Sequence, residues 1–321
     1  MKKTISILLS VVILVSAVPV FAAAETGRIR IVTTIFPIYD WVREIAGGDG
    51  SVEVTLLLDN GVDLHSFQPT AEDIMKVAAC DLFIYVGGES DEWVKDALAE
   101  AVNPNMIVIS LVDVLGESAK TEETVEGMEA EAEKGPEGEE EEEEIDEHVW
   151  LSLRNAQVFV SAIAEAMGKV DPEHAGSYRA NAEAYAGRLA DLDAEYTEVT
   201  GGAAFRTLLF GDRFPFRYLT DDYGLSYYAA FSGCSAETEA SFRTVVFLAQ
   251  KMDELGLPAV MTIEGSNHKI AETIIGSTAA KDQKLLTLDS MQGTTAQDVR
   301  EGASYLAIMK ENLNVLKEAL N

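Results

Sequence analysis

The chain has little from which a cross-linked or nucleic-acid-binding protein could be made. Its 321 residues include two cysteines, Cys80 and Cys234, and four histidines. Two cysteines cannot build a cysteine-ligated zinc cluster or a multi-disulfide scaffold, so hydrophobic packing must hold the fold. A bridge between them is not expected either, because Cys80 precedes its strand and Cys234 follows its own, which sends them to opposite ends of their lobes. Basic residues are scarce: 24 Lys and Arg stand against 55 Asp and Glu, for a formal charge of −31. Phosphate binding needs clustered Lys and Arg, so no nucleic-acid partner is expected and cations are the natural counter-partners. Neither G-x-S-x-G, nor G-x-x-x-x-G-K-[ST], nor G-x-G-x-x-G after a strand occurs, which sets aside serine-hydrolase and nucleotide readings. Beyond residue 25 no apolar run is long enough to cross a bilayer.

What is present is an evenly mixed chain, 47% apolar and 25% charged, of a size for one large or two ordinary domains. Residues 1–24 have the three parts of a cleaved secretory signal. Met1, Lys2 and Lys3 precede the apolar run ISILLSVVILVSAVPVF, and Ala22, Ala23 and Ala24 close it. The mature protein is expected to be exported, and no cysteine follows the apolar run to carry a lipid anchor.

Apolar, β-branched runs at 29–36, 52–58, 81–87 and 106–111 alternate with helix-like stretches at 38–46, 71–79 and 91–101. A second set, at 205–211, 225–231, 258–264 and 284–289, alternates with helices at 238–254 and 268–280. Repeated βα alternation predicts two α/β lobes, each a mainly parallel sheet flanked by helices: residues 25–172 and 203–321. Between them Tyr178, Ala182, Tyr185, Leu189, Leu192, Tyr196 and Val199 fall at steps of four and three. That spacing predicts one long, rigid linker helix over 173–202, started by Asp171-Pro172 and stopped by Gly201-Gly202. Residues 121–147 hold fifteen Asp or Glu and a single Lys with no apolar periodicity, and are expected to form a disordered acidic loop.

Ligands of open α/β sheets bind beyond the carboxyl ends of the strands. His65, His148 and His268 all lie between a strand or loop and the following helix, drawn from both lobes, with Asp212, Glu264, Glu237 and Glu239 in comparable places. His174, at the start of the linker helix, does not share that placement. Two lobes each offering imidazole and carboxylate suit a first-row divalent ion. Gly87-Gly88, which ends a strand, reads as a turn that lets the chain approach the cleft closely. Trp41, Trp93 and Trp150 read as packing residues.

At these residues the chain resembles a known family. IVTTIFPIYDWVREIAG, LLDNGVDLHSFQPTAEDI, CDLFIYVGG, EHVWLSLRNA, DPEHAGSYRANAEAYAGRLADLD and DDYGL resemble, in order and spacing, the substrate-binding receptors of zinc and manganese ABC importers. The resemblance implies an exported two-lobe α/β protein hinged on a single long helix. It implies capture of one metal ion between the lobes, without chemical turnover, and delivery to an ABC permease driven by its ATPase. The partners are then a divalent ion and that membrane importer, and the receptor itself a monomer.

Carried over by position, the resemblance makes His65 the first ligand and His148 the second. Counting back from Tyr218 puts the third on Arg213, whose guanidinium cannot ligate a cation; a one-residue shift at Pro215 puts it on Asp212. The fourth falls on His268, with Glu264 close behind. The expected set is therefore His65, His148 and His268, completed by Asp212, or by Glu264 or Glu237. Three imidazoles and one carboxylate favour Zn²⁺ over Mn²⁺, which prefers more oxygen. The acidic loop sits where zinc receptors of this family carry a histidine-rich loop, but it holds no histidine before His148. The competing expectation is an exported zinc-dependent hydrolase, since three protein ligands and a water also form a catalytic site; no H-E-x-x-H supplies its base.

Overall fold

The structure is a computed structural model and describes residues 28–48, 50–129, 144–235 and 239–321. The signal segment, residues 130–143 of the acidic loop and Glu237 lie outside the described residues. In the first lobe the chain runs β1 (Ile29–Thr33), α1 (Phe36–Ala46), β2 (Val52–Leu56), α2 (Ala71–Ala79), β3 (Leu82–Tyr85), α3 (Trp93–Ala99), β4 (Ile107–Ser110) and α4 (Leu111–Leu115). Its four strands are all parallel, in the order β2-β1-β3-β4. Local chemistry sets the boundaries. Pro37 sits in the first turn of α1, and Gly47, in the left-handed region, ends it. Thr70 and Asp73 form a reciprocal capping box that opens α2.

Two long helices follow, α5 (Leu153–Val170) and α6 (Ala175–Gly201). The second lobe then repeats the first with β5 (Thr207–Phe214), α7 (Arg217–Tyr223), β6 (Ser226–Ser232), α8 (Phe242–Leu255), β7 (Ala259–Ile263), α9 (Lys269–Ser277), β8 (Lys284–Leu288), α10 (Ala296–Arg300) and α11 (Tyr305–Ala319). Its parallel order is β6-β5-β7-β8, the same topology. In each sheet the chain steps to one side of its first strand and then to the other. The carboxyl ends of β1 and β3, and of β5 and β7, therefore border a crevice.

Helix α6 joins the lobes, and it is also part of the core. Tyr178, Ala182, Tyr185, Leu189, Leu192 and Tyr196 are buried as the spacing predicts, whereas Val199 is half-buried and Thr200 takes the last inward position. Asn181 donates to the Ile45 carbonyl of α1 at 2.9 Å, and the Tyr196 hydroxyl donates to the Met309 carbonyl of α11 at 2.6 Å. One apolar cluster runs from Ile31 and Trp41 through Leu189 to Leu208 and Leu316, so the connector is a spine shared by both lobes. A smaller cluster around Leu209, Val245, Leu248 and Ile274 packs α8 and α9 on the second sheet.

The expectation of disorder across 121–147 does not hold for the two ends of that segment. Thr121 pairs with Ile145 in an antiparallel bridge, and the Glu122 amide donates to the Glu144 carbonyl at 2.8 Å. Glu129 runs parallel to Phe231 beside β6, and Met128 is buried. Charge alone concealed this, because the anchoring combines backbone pairing and the buried Met128 with acidic side chains that find specific partners, Glu123 on Arg217 and Glu129 on the Ser241 amide. Among the described residues no helix is long and apolar enough to cross a membrane.

Candidate metal centre

His65 lies in a short turn, Leu64–Ser66, after β2. Asp63 holds it there, its Oδ1 accepting the His65 amide at 3.0 Å. His148 lies at the far end of the acidic loop, before α5, and Asp146 fixes it twice. Asp146 Oδ1 accepts the His148 amide at 2.9 Å and sits 3.0 Å from His148 Nδ1. On the other ring, His65 Nδ1 is 2.8 Å from Ser90 Oγ and 3.5 Å from Glu147 Oε2. With both Nδ1 atoms engaged, the two Nε2 atoms face each other at 3.1 Å. Adjacent nitrogens in a tetrahedral zinc shell lie roughly 3.3 Å apart, so the pair is already spaced as two ligands. Carboxylates behind metal-binding imidazoles are what orient such rings.

A third donor meets this pair. A ring nitrogen of His65, a ring nitrogen of His148 and the sulfur of Cys234 all lie within 4.8 Å of one another. Cys234 follows β6 of the second lobe, so the group spans both lobes. Two glycines permit the approach. A Cβ on Gly233 would lie 2.8 Å from His148 Cε1, and one on Gly88, whose φ is +93°, would lie 2.3 Å from Glu147 Oε1. The close turn expected at Gly87-Gly88 is thus the seat of Glu147.

The electrostatics follow from burial and crowding. Burial and the neighbouring His148 push the His65 pKa down to about 3. Burial works against a charged His148, but the carboxylates of Asp146, Glu147 and Asp63 together outweigh it and the His148 pKa rises. Burial lifts Glu147 to about 7, against the hydrogen bonds from Ser90. The Cys234 thiol is pushed up by burial and by Glu122, Glu147 and Asp146 around it. Cys80, buried at the other end of its lobe, and Cys234 are both unbridged.

Of the other expected donors, Asp212 and Glu264 line an interlobe cleft of about 420 Å³, with Arg213 from the same lobe and Asp63 and Ser66 from the other. Both Asp212 oxygens accept backbone amides, from Arg213 at 2.9 Å and Ile263 at 3.3 Å. Glu264 accepts from the amide and hydroxyl of Ser290, each at 2.7 Å, and from the Gln292 and Gly293 amides. His268 caps α9 in the left-handed region with φ 60°, its Nδ1 buried without a hydrogen-bond partner, and is not gathered with His65 and His148. His174 is 2.6 Å from Asp171 Oδ2 at the start of α6. Glu239 is exposed. Trp150 is buried, donating to the Ser290 carbonyl at 2.9 Å, a packing role.

Cys234, Asp63, Asp146 and Glu147 escaped the sequence reading. One signal for Cys234 lies in the sequence: it stands beyond the carboxyl end of its strand, as His65 does.

Residues 31–319 match the family described as ZnuA, zinc-uptake complex component A periplasmic. The chain is 31% identical, over 300 residues covering 93% of it and 90% of the relative, to the high-affinity zinc uptake system protein ZnuA of Bacillus subtilis. It is 27% identical to the zinc-binding protein AdcA of Streptococcus pyogenes across 99% of its own length, but spans only 61% of that relative. Among solved structures, the metal-dependent lipoprotein YcdH of Bacillus subtilis superposes with a TM-score of 0.74 at 26% identity, covering 91% of this chain and 99% of that one. The Zn(II)-bound ZnuA-like domain of Streptococcus pneumoniae AdcA superposes with a TM-score of 0.70 at 25% identity, covering 92% and 99%.

Proposed function

The chain belongs to the ZnuA family of zinc-uptake components, and from that premise we propose that it is an extracytoplasmic receptor that captures Zn²⁺ between its lobes and hands it to an ABC importer. One observation carries the reading: the half-buried His65 and the buried His148, each anchored from behind through Nδ1, present Nε2 atoms 3.1 Å apart. A divalent ion is ligated by neutral imidazole, so its binding competes with protons for both rings. Asp212 and Glu264 line the interlobe cleft, together with Arg213. Manganese is the second cargo in this reading, disfavoured by the imidazole pair. The leader-like first 24 residues and the family's periplasmic description support export, and the relatives reported above are named for zinc binding and uptake rather than hydrolysis.

Calorimetric titration of the metal-stripped mature protein with Zn²⁺ and Mn²⁺ tests the proposal. Tight, stoichiometric zinc binding is expected, lost in His65→Ala and His148→Ala and retained in His174→Ala. His268→Ala decides whether that residue joins the shell. Parent protein that leaves zinc unbound would overturn the reading.

A further inference from the structure

Resting on that reading, we propose that Cys234 supplies the second lobe's ligand as a thiolate, so that the captured ion sits in a His65, His148 and Cys234 shell. The position at which the family resemblance expects a second-lobe ligand is occupied by Arg213. Its guanidinium cannot coordinate a cation, and it is committed elsewhere, with Nη2 2.6 Å from Asp63 Oδ2. The carboxylates nearby are committed too. Each Asp212 oxygen accepts a backbone amide, and Glu264 takes four hydrogen bonds from the 290–293 turn. Releasing either would break these hydrogen bonds, each contributing about 0.5–1.5 kcal/mol.

Cys234 carries no such commitment to the backbone, and it is the third member of the only group of three potential ligand atoms found among the described residues. Its place is built. It follows Gly233, where any side chain would strike the His148 ring. The last residues of β6 pair with the end of β5, which fixes the height at which the loop leaves the sheet.

Charge balance favours the assignment. As the sulfur–zinc bond forms, the thiol proton leaves to solvent, and zinc with one thiolate and two neutral imidazoles has a net charge of +1. Asp146 Oδ1, 3.0 Å from the His148 ring, places a carboxylate beside that cationic complex. A sulfur donor also sharpens selection, because thiolate suits zinc and is a poor ligand for manganese. The fourth position of a tetrahedral shell then falls to water or to a further donor.

The test replaces zinc by Co²⁺ in the mature protein, under reducing conditions. The parent should show a sulfur-to-cobalt charge-transfer band in the near ultraviolet with tetrahedral d–d bands, discharged by one equivalent of Zn²⁺. Cys80→Ser should keep the band. Cys234→Ser should lose it and bind zinc at least about tenfold more weakly, with its metal-free thermal midpoint close to the parent's. A parent that binds zinc through His65 and His148 but shows no thiolate band would overturn the cysteine assignment and leave the receptor reading standing. Full affinity in Cys234→Ser would do the same. The parental spectrum settles the point even where the variant misfolds, and failure of the parent to bind either metal would instead remove the receptor reading itself.

Discussion

Arg213 of the second lobe forms a 2.6 Å ion pair with Asp63 of the first, and the other oxygen of that carboxylate accepts the His65 amide. The side chain that stands where the family resemblance expects a ligand thus fastens the loop that carries His65. The pair is partly screened, with side-chain exposures of 20% and 21%, so its direct contribution is modest, about 0.5–1 kcal/mol. Its effect on His65 is positional. Arg213→Gln and Asp63→Asn should each weaken zinc binding several-fold, and the double variant should lose little more than either single one. Isothermal titration across the four proteins measures this coupling; fully additive losses would show that the two residues act separately.

Asp146 accepts both the amide and the ring of His148. Asp146→Asn keeps the shape but removes the charge that raises the His148 pKa and orients the ring. Zinc affinity should fall about 10–100-fold, the usual cost of losing such support. His148 should titrate lower in the metal-free variant, which ring-proton NMR can follow.

The metal-free protein should be more stable in mild acid than in mild base. Burial raises Asp40 and Asp91 to about 6 and Glu147 and Glu264 to about 7, with Asp289 adding to the shift of Glu264. Each keeps a proton when folded that the unfolded chain has lost, so its contribution is present in full below the ordinary carboxylate pKa and disappears as pH rises through 6–7. His65, depressed to about 3, opposes them, since its contribution is present above 6.5 and is lost as pH falls. Four groups outweigh one, and the thermal midpoint without metal should be higher at about pH 5.5 than at about pH 8. The zinc-dependent increment should run the other way, shrinking in acid as protons compete for the imidazoles. Differential scanning fluorimetry with and without zinc separates the two trends.

Leu189, fully buried on α6, touches a core common to both lobes. Leu189→Ala should destabilise the protein by about 2–5 kcal/mol in a single unfolding transition. Two separated transitions in urea would show that the lobes unfold independently and that the helix is only a connector.

Much of this protein was determined by the local order of its residues. Period-two and period-3.6 patterns, Pro37, Gly47 and the Thr70 cap are interactions within a few residues of chain, so strands, helices and the buried stripe of α6 were legible before any tertiary contact. His65 and His148 were legible for a related reason: a donor that follows a strand is delivered to the carboxyl edge whatever the remaining packing. The second lobe's contribution was not of that kind. The register of β5 against β6 shifts between Phe210 and Arg213, where an extra residue is accommodated and Gly211 lies against Ala271. That shift turns Asp212 toward the Ile263 amide and sends Arg213 to Asp63. Which second-lobe donor reaches the imidazoles therefore depended on how two distant strands pair and on the space left by Gly233. Spacing along one chain carries no record of such distances, so only the folded arrangement could bring Cys234, and not His268, to the histidine pair.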